Sequence, residues 1–258
     1  MTIHIRDKND NAPVFQRHLY KVSVPENIPR GHLLTTFKAT DMDTGAYGTS
    51  GVRYTEVIGE IASKLSLDPI SGQLTVATND GFDREAAPQY QLTVEARDNN
   101  GTGNRATVQL LMTVDDINDN APSFRHFRSQ IVVPEYATSG PIETVEAFDP
   151  DLGASGEVVY AVQELDKDVE QRETFAIETI DGRGVISLVA PLDYERKSVY
   201  HLKITASDRS QILSDRKSSS VMLLVKVEDA EDEPPIFTAV PSVSGLSDVT
   251  FDLVVRWP

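Results

Sequence analysis

The chain has 258 residues, no cysteine, and 40 acidic against 24 basic side chains, for a formal net charge of -16. Without cysteine there is no thiolate catalysis, zinc–thiolate site or disulfide, and so acidic a surface would repel the phosphates of a nucleic acid. No run of 18 apolar residues suits a membrane-spanning helix, and the first residues do not read as a signal peptide, so an anchored parent would carry its leader and anchor outside this sequence.

In chain order, the first element is an oxygen-rich string, Asp7-Lys8-Asn9-Asp10-Asn11, followed by Ala12-Pro13 and Phe15. Such a run suits neither a core nor a helix. It offers hard-cation ligands, and the proline that stops it marks a boundary. Then come Glu26 in Val24-Pro25-Glu26-Asn27, the pair Asp41 and Asp43, and Asp83-Arg84-Glu85. Tyr90, Leu92, Val94 and Ala96 alternate with polar or small residues and lead to Asp98. After the turn cluster Asn99-Asn100-Gly101-Thr102-Gly103, Ala106, Val108, Leu110, Met112 and Val114 alternate again and lead to Asp116. The string then recurs as Asp116-Ile117-Asn118-Asp119-Asn120, with Pro122 and Phe124 behind it. The landmarks recur too: Glu135, the pair Asp149 and Asp151, Asp193-Tyr194-Glu195, and Tyr200, Leu202, Ile204 and Ala206 running into Asp208. Val221, Leu223, Val225 and Val227 lead to an altered third string, Asp229-Ala230-Glu231-Asp232-Glu233, with Pro234, Pro235 and Phe237.

Phe15 and Phe124 lie 109 residues apart, and Phe124 and Phe237 lie 113 apart. Landmarks kept in one order at nearly the same spacing identify two tandem copies of a module of about 110 residues. Residues 1–12 are expected to be the tail and linker of a preceding copy. Residues 13–118 and 119–231 are the two full copies, and 232–258 a linker and truncated start of a third. Period-two alternation over eight or nine residues predicts strands with one buried face. Several such strands per module, with no helical period, predict an all-β two-sheet sandwich. Parity also places acids: two residues beyond inward-facing Ala96, Val114 and Ala206 stand Asp98, Asp116 and Asp208. Strands would thus run off the end of the sandwich into carboxylates aimed at one pole.

Asp-x-Asn-Asp-Asn-x-Pro, Pro-Glu-Asn, Asp-x-Asp and Asp-Arg-Glu in this order resemble the extracellular repeats of the cadherin family, over nearly the whole chain. The resemblance implies a seven-strand Greek-key sandwich per repeat and repeats joined end to end through linkers that bind Ca2+. At the central junction it implies three calcium ions. Their ligands would be Glu26, Asp83 and Glu85 from the first copy, and the carbonyls of Ile117 and Asn120 with the side chains of Asn118 and Asp119. Asp149, Asp151 and Asp208 would come from the second copy. Seven carboxylates among them would face six positive charges, and without metal they would repel. At the N-terminal junction Asn9, Asp10 and Asn11 with Asp41, Asp43 and Asp98 imply one ion. At the C-terminal junction Glu135, Asp193, Glu195 and Asp232 are available, but Glu231 and Glu233 replace asparagines and the ion count stays open. Tyr47 and Ser155 stand where the family has asparagine in Asp-x-Asp-x-Gly-x-Asn-Gly, and their main-chain carbonyls could still serve as ligands.

Other readings are weaker. Asp116, Asn118 and Asn120 match positions one, three and five of an EF-hand loop, but Ala121-Pro122 replaces its glycine turn and Phe127 its bidentate glutamate. Asp83 and Glu85 could suggest a glycosidase pair, yet such pairs recur at module ends with no cleft between them, so no enzyme is expected. His4, His18, His32, His126 and His201 lack ligand spacing and are expected on the surface. Asn100-Gly101-Thr102 is a glycosylation sequon that an extracellular setting would allow to be used. Trp257 has no core to join. The expectation is an extracellular, calcium-stiffened segment of a plasma-membrane protein, anchored outside this chain and serving cell–cell adhesion or mechanical linkage. Its partner would be another cadherin ectodomain, homophilic or heterophilic, with no small-molecule substrate. A passive spacer or a specific homophilic or ligand-receptor module is the alternative. The altered third junction is reminiscent of long, non-swapping cadherins of the protocadherin, Fat and hair-bundle-link kinds.

Overall fold

The computed structural model describes residues 3–4, 6–166, 173–230, 236–241 and 251–256. The chain divides into two compact units, Met1–Ile117 and Asn118–Pro258. In the first unit the predicted alternation becomes nine strands: β1 (Val14–Phe15), β2 (Leu19–Pro25), β3 (Leu33–Thr36), β4 (Ala39–Thr40), β5 (Arg53–Ile58), β6 (Leu65–Leu67), β7 (Gln73–Val76), β8 (Gln89–Arg97) and β9 (Arg105–Asp115). One sheet has the order β2-β9-β8-β5 and faces a sheet ordered β3-β7-β6, with β1 and β4 paired beside them. Leu92 pairs with Leu110 and Val94 with Val108. These four are buried, together with Phe37, Leu74 and Val76 from the facing side. Each large apolar side chain so buried contributes roughly 1.5–3 kcal/mol.

Phe15, the landmark behind the first linker string, packs on Tyr54 with ring centroids 6.2 Å apart. The Tyr54 hydroxyl accepts the Ala39 N–H at 2.9 Å, which keeps a phenol satisfied inside the core.

The second unit repeats the plan with β10 (Ser123–Arg125), β11 (Gln130–Pro134), β12 (Gly140–Phe148), β13 (Val158–Glu164), β14 (Phe175–Ile180), β15 (Arg183–Leu188), β16 (Val199–Asp208) and β17 (Ser218–Glu228). Its sheets are β11-β17-β16-β13 and β10-β12-β15-β14. Phe124 packs on Tyr160 at 6.3 Å, and the Tyr160 hydroxyl accepts the Ala147 N–H at 2.6 Å. One difference is that β12 is a single long strand where the first unit breaks into β3 and β4. Two further strands, β18 (Ile236–Pro241) and β19 (Phe251–Arg256), pair antiparallel in a separate sheet. Asp232 and Trp257 lie outside the described residues.

The feature that positions functional groups is a parallel pair in each unit. β2 runs parallel to β9 until Pro25 meets Asp115, and β11 runs parallel to β17 until Pro134 meets Glu228. The next residue continues each ladder: Glu26 N–H donates to Asp115 O at 3.2 Å, and Glu135 N–H to Glu228 O at 3.1 Å. A proline ends the donor side of the strand, and the glutamate behind it sits beside the start of the linker.

Candidate metal centres

At the base of the first unit Glu26 is only 3% exposed. Its carboxylate is held by backbone donors on both sides, Ile117 N–H to Oε1 at 2.9 Å and Arg84 N–H to Oε2 at 3.1 Å. Asp83 accepts the Ala86 N–H at 2.9 Å. One oxygen each from Glu26, Asp83 and Glu85 lies within 4.8 Å of the others, close enough to share a cation. Arg84 is buried among these acids and ion-pairs with both Glu85 and Asp116. Burial alone would ease its proton off, but the bonds to Asp116 and Glu85 outweigh that and hold its pKa above the usual arginine value.

The base of the second unit repeats the backbone bonds. Glu135 accepts from Ala230 N–H at 2.6 Å and from Tyr194 N–H at 2.9 Å, and Asp193 accepts from Arg196 N–H at 2.8 Å. Glu195 follows on the same turn, and Tyr194 replaces the arginine.

At the opposite pole of the first unit β8 leads into Asp98, which is 0% exposed as parity predicted. Its Oδ1 accepts from Asn9 Nδ2 at 2.9 Å and from Asn104 N–H at 2.8 Å. Asp43 accepts from Asn11 N–H at 3.1 Å and from Asn11 Nδ2 at 2.5 Å. These bonds, the Asn11 side chain first, pull the Asp43 pKa below the usual carboxylate range. Asp41 Oδ1 accepts the Asp43 N–H at 2.9 Å. Asp10 is exposed and accepts from Asn11. Asp41, Asp43 and Asp98 bring one oxygen each within 4.8 Å of the others. The second oxygens of Asp41 and Asp98 are buried with no hydrogen-bond partner among the described residues. A buried carboxylate oxygen without a donor is costly. A hard cation of the Ca2+ kind would satisfy both, so the residues fit such an ion.

The second unit builds the same pole around its own linker string. Asn120 N–H and Nδ2 donate to Asp151 at 3.3 and 2.8 Å, and Asp149 Oδ1 accepts the Asp151 N–H at 3.0 Å. Asn118 Nδ2 donates to Asp208 at 2.9 Å, leaving the buried Asn118 Oδ1 without a donor among the described residues. Asp208 is 0% exposed. Burial is the largest influence on it and pushes its pKa up, but bonds from Lys217 N–H, Asn118 and Ser210 N–H, with the Arg216 charge, leave it lowered overall. Asp119 is exposed and accepts from Asn120.

The loops after each Asp-x-Asp pair stay close because of glycine. A Cβ on Gly48 would stand 1.9 Å from the Asp43 carbonyl oxygen, and one on Gly156 would stand 2.0 Å from that of Asp151. Tyr47 and Ser155 precede these glycines. The carbonyls one residue earlier tie each loop to the next: Asn99 N–H donates to Ala46 O at 2.8 Å, and Arg209 N–H to Ala154 O at 3.0 Å. All five histidines are exposed. Sequence reasoning missed Asn104, whose side chain donates to Asn9 at 2.6 Å and to the Asn11 carbonyl at 2.5 Å. It lies six residues past Asp98, outside every recurring motif. The role of Arg84 was missed too, although it sits inside one.

The Cadherin domain family model matches residues 20–115 and 129–228. The chain belongs to the cadherin family. Human Protocadherin-16 is 36% identical over 244 residues, covering 95% of this chain and 7% of that protein. Human Protocadherin Fat 1 is 34% identical over 236 residues, covering 91% of this chain and 5% of that protein. The chain therefore spans a small fraction of these relatives. Among solved structures, three repeats of mouse Cadherin-23 superpose with a TM-score of 0.74 at 29% identity, over 89% of this chain and 70% of that one. The Protocadherin GammaB4 extracellular domain gives 0.73 at 28% identity, over 96% and 38%. The repeats are thus all-β cadherin repeats of the extracellular part of a membrane protein. The family is structural and adhesive, so Asp83 and Glu85 are not a catalytic couple. Cadherin domains generally bind Ca2+ at their linkers.

Proposed function

We propose that this chain is a calcium-dependent segment of a cadherin ectodomain, with repeats at 13–118 and 119–231, that carries adhesion or mechanical load. Glu26, Asp83 and Glu85, the carbonyls of Ile117 and Asn120, Asn118, Asp119, Asp149, Asp151 and Asp208 would hold three calcium ions at the central linker. Asn9, Asp10, Asn11, Asp41, Asp43 and Asp98, with the Tyr47 carbonyl, would hold one at the N-terminal end, and Ser155 would offer the matching carbonyl in the second repeat. Glu135, Asp193 and Glu195 are available for a C-terminal junction.

The observation that carries this reading is the pair of buried, donor-less oxygens on Asp41 and Asp98, beside Asp43. Bound calcium would supply counter-charge to acids that the fold already holds through backbone N–H groups. Extracellular calcium modules bind at about 0.1–1 mM, and an ion at ten times its dissociation constant stabilises by about 1.4 kcal/mol. The partner in this reading is another cadherin ectodomain, meeting either its own kind or a relative.

The test is sedimentation and thermal unfolding of the full chain across a calcium titration. Calcium should raise the melting temperature and the sedimentation coefficient should respond. Unchanged melting and unchanged protease sensitivity from chelator to millimolar calcium would overturn the calcium reading. Self-association that appears only with calcium would support a homophilic partner, and a monomer at all concentrations would remove it.

A further inference from the structure

Asn100-Gly101-Thr102 is the only Asn-x-Ser/Thr sequence in the chain, and we propose that Asn100 carries an N-linked glycan. Asn100 and Thr102 are both exposed, in the loop between β8 and β9. The backbone takes the left-handed region there, with φ of 48° at Asn99 and 57° at Asn100. Asparagine tolerates this left-handed region better than most residues.

The Asn100 side chain is held through its oxygen. Arg53 Nη2 donates to Asn100 Oδ1 at 3.2 Å, while Arg53 Nη1 donates to the carbonyls of Ser50 and Val52 at 3.0 and 2.7 Å. An anchored guanidinium thus holds the amide oxygen, and among the described residues the amide nitrogen makes no hydrogen bond. The loop rests on the start of β5, since a Cβ on Gly101 would lie 3.4 Å from Arg53 Cβ and 3.6 Å from Thr55 Cγ2. β5 is an outer strand of its sheet. A glycan here would stand over the outward face of the sheet beside Arg53 and Thr55. The matching loop of the second repeat reads Arg209-Ser210-Gln211 and offers no acceptor.

The acceptor needs an extracellular route, which the cadherin membership supplies. In the transfer, Asn100 Nδ2 loses a proton and bonds to the anomeric carbon of an oligosaccharide carried on a lipid pyrophosphate. The bond from that carbon to the pyrophosphate oxygen breaks, and the lipid pyrophosphate leaves with the electron pair.

The experiment is secretion of the full chain from mammalian cells behind a cleavable leader, followed by intact mass and peptide mapping with and without peptide N-glycosidase. Trypsin would release Asp98–Arg105 with the site inside it. The wild type should lose a discrete mass on glycosidase treatment and yield that peptide with aspartate at position 100. Asn100→Gln and Thr102→Ala should migrate as the bare polypeptide, and Thr102→Ser should keep the glycan. A wild-type chain secreted at bare polypeptide mass, with Asn100 unmodified in its peptide, overturns the proposal whether or not the variants fold. This outcome is independent of the calcium titration.

Discussion

The two repeats hold their acids with the same backbone and surround them with different side chains. Glu26 and Glu135 each bridge two backbone N–H groups, and Asp43 and Asp151 each take the backbone and side chain of a linker asparagine. Around them the chemistry diverges. Arg84 faces Glu85 and Asp116 at the first base, where the second has Tyr194. On the outer face of the first sheet Glu95 is 5% exposed and takes bonds from Arg97 and Thr55 at 2.7 and 2.9 Å. The same register position in the second repeat is Thr205, paired with Ser220 at 3.0 Å. Bonds from main-chain donors come with the strand pairing itself, so they recur wherever the topology does. Side-chain counter-charge is set one residue at a time and is free to differ.

The largest expected effect tests the shared part. Asp208 accepts from Lys217 N–H at 2.7 Å, Ser210 N–H at 2.8 Å and Asn118 at 2.9 Å. Asp208→Ala would strand these donors and cost about 3–5 kcal/mol. Asp98→Ala strands Asn104 N–H and the Asn9 amide and should cost about 1 kcal/mol less. Urea denaturation without calcium measures both, and a cost below 1 kcal/mol for Asp208→Ala would show that the pole is not part of the fold.

Next is the unshared Glu95 cluster. The hydrogen bond from Arg97, followed by that from Thr55 and the charges of Arg97 and Arg105, lowers the Glu95 pKa against the opposing effect of burial. A lowered folded pKa gives stability that is fully present above the unfolded value near 4.3 and is lost as pH falls through the folded value. Glu95→Gln should cost roughly 1.5–3 kcal/mol at neutral pH and flatten the acid dependence of the first repeat's unfolding. Parallel stability–pH curves for wild type and variant would contradict this.

Much of this arrangement could be read from residues alone. Alternation located β8, β9, β16 and β17, and the parity of Ala96 and Ala206 placed Asp98 and Asp208 at the ends of buried faces. The break between β3 and β4, and its absence from β12, could not be read, because strand continuity there depends on partners in other strands. Asn104 and Glu95 were invisible for a related reason: a polar residue on an outward position gains its meaning from neighbours distant in the chain.

A smaller effect examines the two tyrosine anchors. Tyr160→Phe removes the acceptor for the Ala147 N–H and a donor to the Gly182 carbonyl at 3.2 Å. It should cost about 1–2 kcal/mol, and Tyr54→Phe about the same or less. Equal melting of Tyr160→Phe and wild type would remove the hydroxyl from the account of the second core.

The smallest effect sharpens the contrast between the bases. Arg84→Tyr takes a positive charge from beside Glu85 and Asp116 and should tighten calcium binding by about fivefold, on the order of 1 kcal/mol. Tyr194→Arg should weaken it at the second base. Calorimetric titration of the two variants reads the sign directly, and weaker binding by Arg84→Tyr would mean that the arginine orders the site instead of competing for it.

The parallel pairing of the first and last long strands has a consequence for force. Behind the short β1 and β10, the chain runs in along β2 or β11 and leaves along β9 or β17. Once β1 or β10 has come away, a pull on the two ends of a repeat slides one strand along its neighbour. Seven register pairs from Leu19–Gln109 to Pro25–Asp115 in the first repeat, and five from Gln130–Leu224 to Pro134–Glu228 in the second, would bear that sliding load together. Rungs loaded side by side yield as a group, where a hairpin peeled from one end yields rung by rung. Under tension the second repeat, with the shorter ladder, should be the first to give way.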